Sequence, residues 1–191
     1  CDCAPAHDQI LRWAALLHDV GKPRCASFDK RGLNFIGHDR VSADVATEIL
    51  DRLRFPRAFS RSVSHLIYHH MFGYTSEWSD AAVRRLVSRV GRDEIFALTA
   101  LSRIDRCGKT GAAYPAPLLD ELERRVRHLM SSAPPLRAKD LAINGRDLME
   151  LLDVGPGQHI GVLLQELLET AIADPDINTP DRLKEIATRF F

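Results

Sequence analysis

No stretch of this sequence approaches the roughly 20 consecutive apolar residues that a helix needs to cross a bilayer, and no basic-then-apolar leader opens it. Membrane insertion is therefore not expected, and a cytoplasmic setting is. Cysteine is scarce. Cys1, Cys3, Cys25 and Cys107 form no C-x-x-C pair and have no zinc-ribbon spacing, so reduced thiols are expected rather than a disulfide framework. There is no internal repeat and no convincing sheet pattern, which leaves an all-α fold. Nor is charge of one sign in excess, because Lys+Arg and Asp+Glu are 26 each. Overall charge therefore cannot draw in a polyanion, and any such partner must rely on a local patch. The distribution is uneven, with residues 1–130 mildly basic and 131–191 mildly acidic. The chain also lacks an initiating methionine, which suggests a piece of a longer protein.

What is present is a core-forming composition, 45% hydrophobic and 27% charged. The apolar run Ile10–Leu17 predicts a first helix over about 8–18, stopped by Gly21 and Pro23. Weak alternation over 24–36 around Lys30-Arg31-Gly32 predicts a short hairpin. Val41, Val45, Ile49, Leu50 and Leu53 stripe a helix over about 38–54. Pro56 starts another that ends in Tyr68-His69-His70-Met71. Ser79 is an N-cap for the next, and helices over about 93–107 and 117–131 follow. Ser131-Ser132-Ala133-Pro134-Pro135 is the best linker in the chain, so 1–130 and 131–191 are expected to be separate domains. The second should hold a short helix to Leu152, an apolar helix over 160–173 and a last helix opened by Thr179-Pro180. Leu163, Leu164, Leu167 and Leu168 should be buried between Leu148, Leu151 and that last helix.

The chemistry concentrates in Leu16-Leu17-His18-Asp19-Val20-Gly21-Lys22-Pro23. A neutral imidazole and a carboxylate are good ligands for a divalent transition ion, and a carboxylate can bridge two ions. Lys22 could face a phosphate. His38, His69, His70 and Asp105 are the other candidates on helix ends or otherwise apolar helices. His69 and His70 point about 100° apart on a helix, so one of them is expected in a pocket, and we assign His70. The ordinary alternative for Asp105 is a surface salt bridge with Arg103 or Arg106. His7-Asp8, His128 and His159 have no partners in view. Arg85, Arg89 and Arg92 lie on one predicted helical arc with Arg84 nearby. As a group they would suit a phosphate backbone, although a solvated helix face is the commoner meaning. No aromatic residue is interleaved there, so base stacking is not indicated.

Trp13–Pro23, followed by Phe35-Ile36-Gly37-His38-Asp39, Ile49–Arg54 and His69-His70-Met71, resembles the HD region of bacterial tRNA nucleotidyltransferases. These are the CCA-adding enzymes of the poly(A) polymerase family, and the region belongs to the HD metal-dependent phosphohydrolase superfamily. Asp140–Met149, Gly155-Pro156-Gly157 and Ile160–Leu164 resemble that family's C-terminal body. The resemblance implies an HD helical bundle followed by a small helical lobe. It also implies a divalent ion (Mg, Mn, Ni, Co or Fe) on His18, Asp19, His38, His70 and Asp105, with Asp19 and Lys22 in catalysis. Arg85, Arg89 and Arg92 would then meet tRNA.

The implied activity is hydrolysis of phosphomonoesters, 2′,3′-cyclic phosphates or nucleotides. The alternatives are a non-catalytic tRNA-binding scaffold and a stand-alone nucleotide phosphohydrolase. The family's transferase head, a Gly-Gly-Ser loop with an Asp-x-Asp pair on a sheet, is not found. The chain is therefore not expected to add nucleotides itself, and the head would lie upstream in the full-length protein. The superfamily's earlier histidine would also precede residue 1, and Asp39 stands where relatives often have Glu.

Overall fold

The computed structural model describes residues 5, 7–30, 32–110 and 116–191. It is helical throughout, and β-structure among the described residues is confined to one two-stranded ribbon. Two compact units emerge, one from residues 1–74 and 90–120, the other from 75–89 and 121–191.

In the first unit α1 (Gln9–Leu17) starts where the Asp8 carboxylate accepts from the Leu11 amide at 2.9 Å, and it ends on His18 as C-cap. Pro23 does not simply stop the chain. It occupies the first turn of α2 (Lys22–Cys25), where a missing N–H costs nothing. The ribbon β1 (Ser27–Asp29) and β2 (Gly32–Asn34) is the expected hairpin, antiparallel with Phe28 opposite Leu33. Gly37 then takes a left-handed φ of 78° and turns the chain into α3 (His38–Arg52). Next come α4 (Arg57–His69), α5 (Asp80–Val90), α6 (Glu94–Thr110) and α7 (Pro117–Met130). Leu11, Ala14, Leu50, Val63, Ile67, Leu98 and Leu101 are almost fully buried and form the apolar interior of this unit.

Gly21 fixes how the HDVGK turn sits on α3. Its amide donates to Ser42 Oγ at 2.9 Å, and both residues are buried. A Cβ at Gly21 would lie 2.6 Å from the Ser42 backbone nitrogen and 2.9 Å from the Val41 carbonyl carbon. Only a residue without a side chain allows this approach.

The second unit contains most of α5, most of α7, and α8 (Gly145–Leu152), α9 (Gln158–Ala173) and α10 (Pro180–Phe190). Asn144 opens α8 with a full capping box to Asp147. Leu163, Leu167 and Leu168 are buried with Leu148, Leu183 and Ala187, and Leu164 is partly buried, as the 3.6-residue spacing predicts. Leu151 departs from that expectation. It is 39% exposed, and Leu152 takes the inward position. Thr179 stands at the N-cap of α10 but makes no capping bond through its side chain.

The division of the chain also differs from a cut at 130/131. Pro134, Pro135 and Leu136 are buried, and the Leu136 carbonyl accepts from Ser88 Oγ of α5 at 2.7 Å. Arg84 of α5 is buried and donates to the Ile172 and Ala173 carbonyls at 2.6 and 2.7 Å. These bonds satisfy orphan carbonyls at the end of α9. They tie α5 to the C-terminal helices, which no local sequence pattern announces.

Candidate metal centre

Three histidines are aimed by the same local device. His18 is the C-cap of α1 and His70 the C-cap of α4, where helix carbonyls lack intrahelical partners. Their Nδ1–H groups donate to the carbonyls of Ala15 (3.0 Å) and Ile67 (2.6 Å). His38, the first residue of α3, donates in the same way to Phe35 at 2.8 Å. A carbonyl can only accept, so Nδ1 carries a proton, and in the neutral imidazole Nε2 then keeps its lone pair. This fixes tautomer and ring orientation as second-shell bonds do in metal sites.

The Nε2 atoms converge on two carboxylates. His18 Nε2 lies 3.4 Å from Asp19 Oδ2 and 3.3 Å from Asp105 Oδ1. It is buried and makes no hydrogen bond. On the other side of Asp19, Oδ1 is 3.3 Å from His38 Nε2 and 4.0 Å from His70 Nε2. The two imidazole nitrogens are 3.2 Å apart. Two lone pairs at that separation repel unless a proton or cation lies between them.

The donors therefore form two groups, His18–Asp19–Asp105 and Asp19–His38–His70, sharing Asp19. Metal–ligand bonds of roughly 2.0–2.2 Å imply ligand–ligand separations of roughly 3.0–3.5 Å. Most of the distances here fall in that range, and the orphaned His18 nitrogen is where a cation would complete the set. The residues fit a divalent ion at either group.

Lys22 Nζ touches Asp19 Oδ2 at 2.6 Å and stands 5.7 Å from the Phe35 ring centroid. Burial pushes the Asp19 carboxyl up. The Lys22 hydrogen bond and the charges of His18, Lys22 and His38 outweigh that effect and hold it below the ordinary carboxylate value. His70 is also depressed, first by burial and then by His18 and His38, against the Ile67 bond and Asp19, which raise it. A neutral imidazole is the form that can ligate.

The groups line an open cavity of about 530 Å³ whose wall also includes Ile36, Asp39 and Met71. Ile36 is 83% and Met71 63% exposed. Of the sequence candidates, His18, Asp19, Lys22, His38, His70 and Asp105 all come together here. Arg103 pairs with Asp120 at 2.8 Å, and the Asp105 carboxylate faces His18. His69 turns away and stacks edge-on with His65, whose Nε2 donates to the Val90 carbonyl. Ser42 was missed. A small residue spaced to meet the motif glycine is a signal visible only once α3 is placed.

The arginine arc does not form as expected. Helix α5 ends at Val90, so Arg92 lies beyond it, and Arg92 belongs to the first unit while Arg85 and Arg89 belong to the second. Arg85 is paired with Glu169 at 3.1 Å. Asp174-Pro175-Asp176 is an Asp-x-Asp string, but the Asp174 carboxylate caps a 3-10 turn there and no strand carries it. Cys25 is free, whereas Cys107 is disulfide-bonded, against the expectation of reduced thiols throughout. Among the described residues, no helix is long and apolar enough to cross a membrane.

A helical unit with a His-Asp doublet joined to further histidines and a distal aspartate defines a class, and comparison agrees. The family described as HD domain matches residues 3–110, and the chain belongs to it. Over most of its length it is also similar to tRNA nucleotidyltransferases. It is 35% identical to the A-adding tRNA nucleotidyltransferase of Deinococcus radiodurans over 97% of this chain and 43% of that protein. It is 32% identical to the CC-adding tRNA nucleotidyltransferase of Thermus thermophilus over 91% of this chain and 38% of that protein. The chain thus spans about two fifths of the length of these relatives. No solved structure matches.

Proposed function

We propose that this chain is the HD module of a tRNA nucleotidyltransferase-like protein and that it hydrolyses phosphoesters, either phosphomonoesters or 2′,3′-cyclic phosphates, with a divalent metal. The observation that carries this reading is Asp19. Its two oxygens face two donor groups whose histidine nitrogens are all held bare by backbone acceptors. His18 and Asp105 would hold one ion and His38 and His70 the other, with Asp19 between them. A cation bound there would activate a water and polarise the phosphoryl oxygens. Mixed nitrogen and oxygen donors favour Mn, Fe, Co or Ni over Mg.

The protein's own part is positioning. Backbone carbonyls lock the imidazoles, Gly21 docks the motif on α3, and Lys22 offers an ammonium at the cavity wall to an incoming phosphate. Ile36 and Met71, both exposed at the cavity wall, offer apolar surface to the organic part of an ester.

Metal analysis of the purified chain, followed by hydrolysis of an activated phosphodiester with added Mn, tests the reading. Stoichiometric metal and a rate lost in Asp105→Ala are expected. A chain that takes up no metal and hydrolyses nothing, yet binds tRNA, would establish the scaffold alternative instead.

A further inference from the structure

Asp39 belongs to the cavity but to neither donor group. It shares the wall with Ile36, His38 and Met71, and its carboxylate is in neither cluster of ligand atoms. Next to His38 in the first turn of α3, it is rotated about 100° from that residue around the helix axis. It is half-buried, and its side chain makes no hydrogen bond or ion pair among the described residues. The neighbouring cations are engaged elsewhere. Lys22 touches Asp19 at 2.6 Å, and Arg40 lies over the Tyr68 ring at 5.9 Å.

A carboxylate in the first turn of a helix gains from the positive end of the helix dipole. That gain requires neither a cavity wall nor partial burial. An ionised carboxylate only accepts hydrogen bonds, and water satisfies it while the cavity is empty. A molecule that fills the cavity displaces that water, which is costly unless it brings a donor of its own.

The donor cannot be the phosphoryl group, whose oxygens are acceptors and belong beside the ion. It must come from the organic part of the ester, which also meets the apolar surface of Ile36 and Met71. An ammonium donor would be repelled by Lys22 and by a divalent ion in the same cavity, whereas a neutral hydroxyl would not. Asp39 directly follows His38 in the chain, about 3.8 Å away between Cα atoms. A donor that reaches it therefore sits close to the ester oxygen held at the ion.

We propose that Asp39 is a specificity-determining residue that accepts a hydrogen bond from a hydroxyl on the carbon next to the scissile ester. The site then selects phosphomonoesters with a vicinal hydroxyl, a ribonucleoside 3′-monophosphate being one. The reaction is that of the hydrolase reading, on which the inference rests. Water adds to phosphorus, the bond from phosphorus to the ester oxygen breaks, and a proton from that water ends on the leaving oxygen. The binding preference can be measured whether or not hydrolysis follows.

The test compares adenosine 3′-monophosphate with 2′-deoxyadenosine 3′-monophosphate, which differ in that hydroxyl alone. Binding to the full chain is followed by isothermal calorimetry, with Mn and again with a chelator, and kcat/KM is measured alongside. The ribonucleotide should bind roughly 10- to 100-fold tighter, as expected for one hydrogen bond to a charged group. Asp39→Ala should bring that ratio close to one. Asp39→Asn keeps an acceptor oxygen without the charge, and should give an intermediate ratio. A merely structural role for Asp39 would weaken both nucleotides alike and leave the ratio where it was.

Equal binding of the two nucleotides by the wild-type chain overturns the proposal. So does a ratio that survives Asp39→Ala, or failure to bind either nucleotide. Phenyl phosphate, which has no hydroxyl, separates the two readings. If it is hydrolysed while the nucleotides bind alike, the role of Asp39 falls and the hydrolase reading stands. If nothing is hydrolysed but the preference is present and depends on Asp39, the hydrolase reading falls and the role of Asp39 stands.

Discussion

Gly21→Ala is the sharpest perturbation this structure offers, because it adds one methyl group and asks for space that does not exist. Gly21 has φ −82° and ψ −11°, which alanine adopts without backbone strain. The whole effect must therefore come from contact. The new Cβ would be 2.6 Å from the Ser42 amide nitrogen and 2.9 Å from both Ser42 Oγ and the Val41 carbonyl carbon. Backbone atoms of α3 cannot rotate aside, so the turn and the helix must separate. Overpacking of this kind costs about 1–3 kcal/mol. Separation also breaks the buried bond from Gly21 N–H to Ser42 Oγ, for about 1–3 kcal/mol more. A total of about 2–6 kcal/mol lowers the melting temperature by roughly 4–24 °C for a chain of this size.

The same separation moves Asp19 away from His38, now 3.3 Å apart, so metal affinity at the Asp19–His38–His70 group should fall as well. Differential scanning calorimetry and metal titration by isothermal calorimetry read both effects. Ser42→Gly in the Gly21→Ala background should not restore either, because the closest atom is main chain rather than the hydroxyl. Full rescue by Ser42→Gly, or a Gly21→Ala melt within about 1 °C of wild type, would refute the close-approach argument.

Asp19→Ala should release metal from both groups, because one residue serves each, whereas Asp105→Ala should release only what His18 holds; elemental analysis after gel filtration distinguishes them. Arg84→Met should destabilise the second unit by about 2–4 kcal/mol, because two α9 carbonyls lose charged donors, and urea denaturation followed by circular dichroism will show it. Trypsin should cut after Lys30, at the exposed hairpin tip, before it cuts within 131–137, where Pro134, Pro135 and Leu136 are buried; mass spectrometry of the first fragments decides the order.

Much of the centre was legible because its residues stand where helices end. The His18-Asp19 doublet closes an apolar run, His38 follows a Phe-Ile-Gly turn, and His70 closes another run. The choice of His70 over His69 has a physical signature that sequence does show: the residue just past the last helical turn can bond a free carbonyl and still aim Nε2 outward. Asp105 was harder, because no local pattern shows that its carboxylate reaches His18 Nε2 across the unit.

What failed was long-range. Pro134-Pro135 reads as a linker by composition, but burial against distant residues overrides composition. Arg92 continued an angular pattern past the point where Gly91, at φ 111°, ends helix α5.

Asp19 has two oxygens and three claimants. Oδ1 belongs to His38 and His70, while Oδ2 is shared between the His18–Asp105 side and the Lys22 ammonium, which already touches it. A cation entering on the Oδ2 side must therefore displace Lys22 or be repelled by it. Once displaced, that ammonium has no carboxylate to neutralise and is free to swing toward an anion in the cavity. Under the proposed function, ion entry and phosphate capture would be coupled steps, and linkage requires the coupling to be equal in both directions. A phosphate held by Lys22 should then tighten ion binding by the same factor as the ion tightens phosphate. That reciprocal coupling would rest on a single 2.6 Å contact.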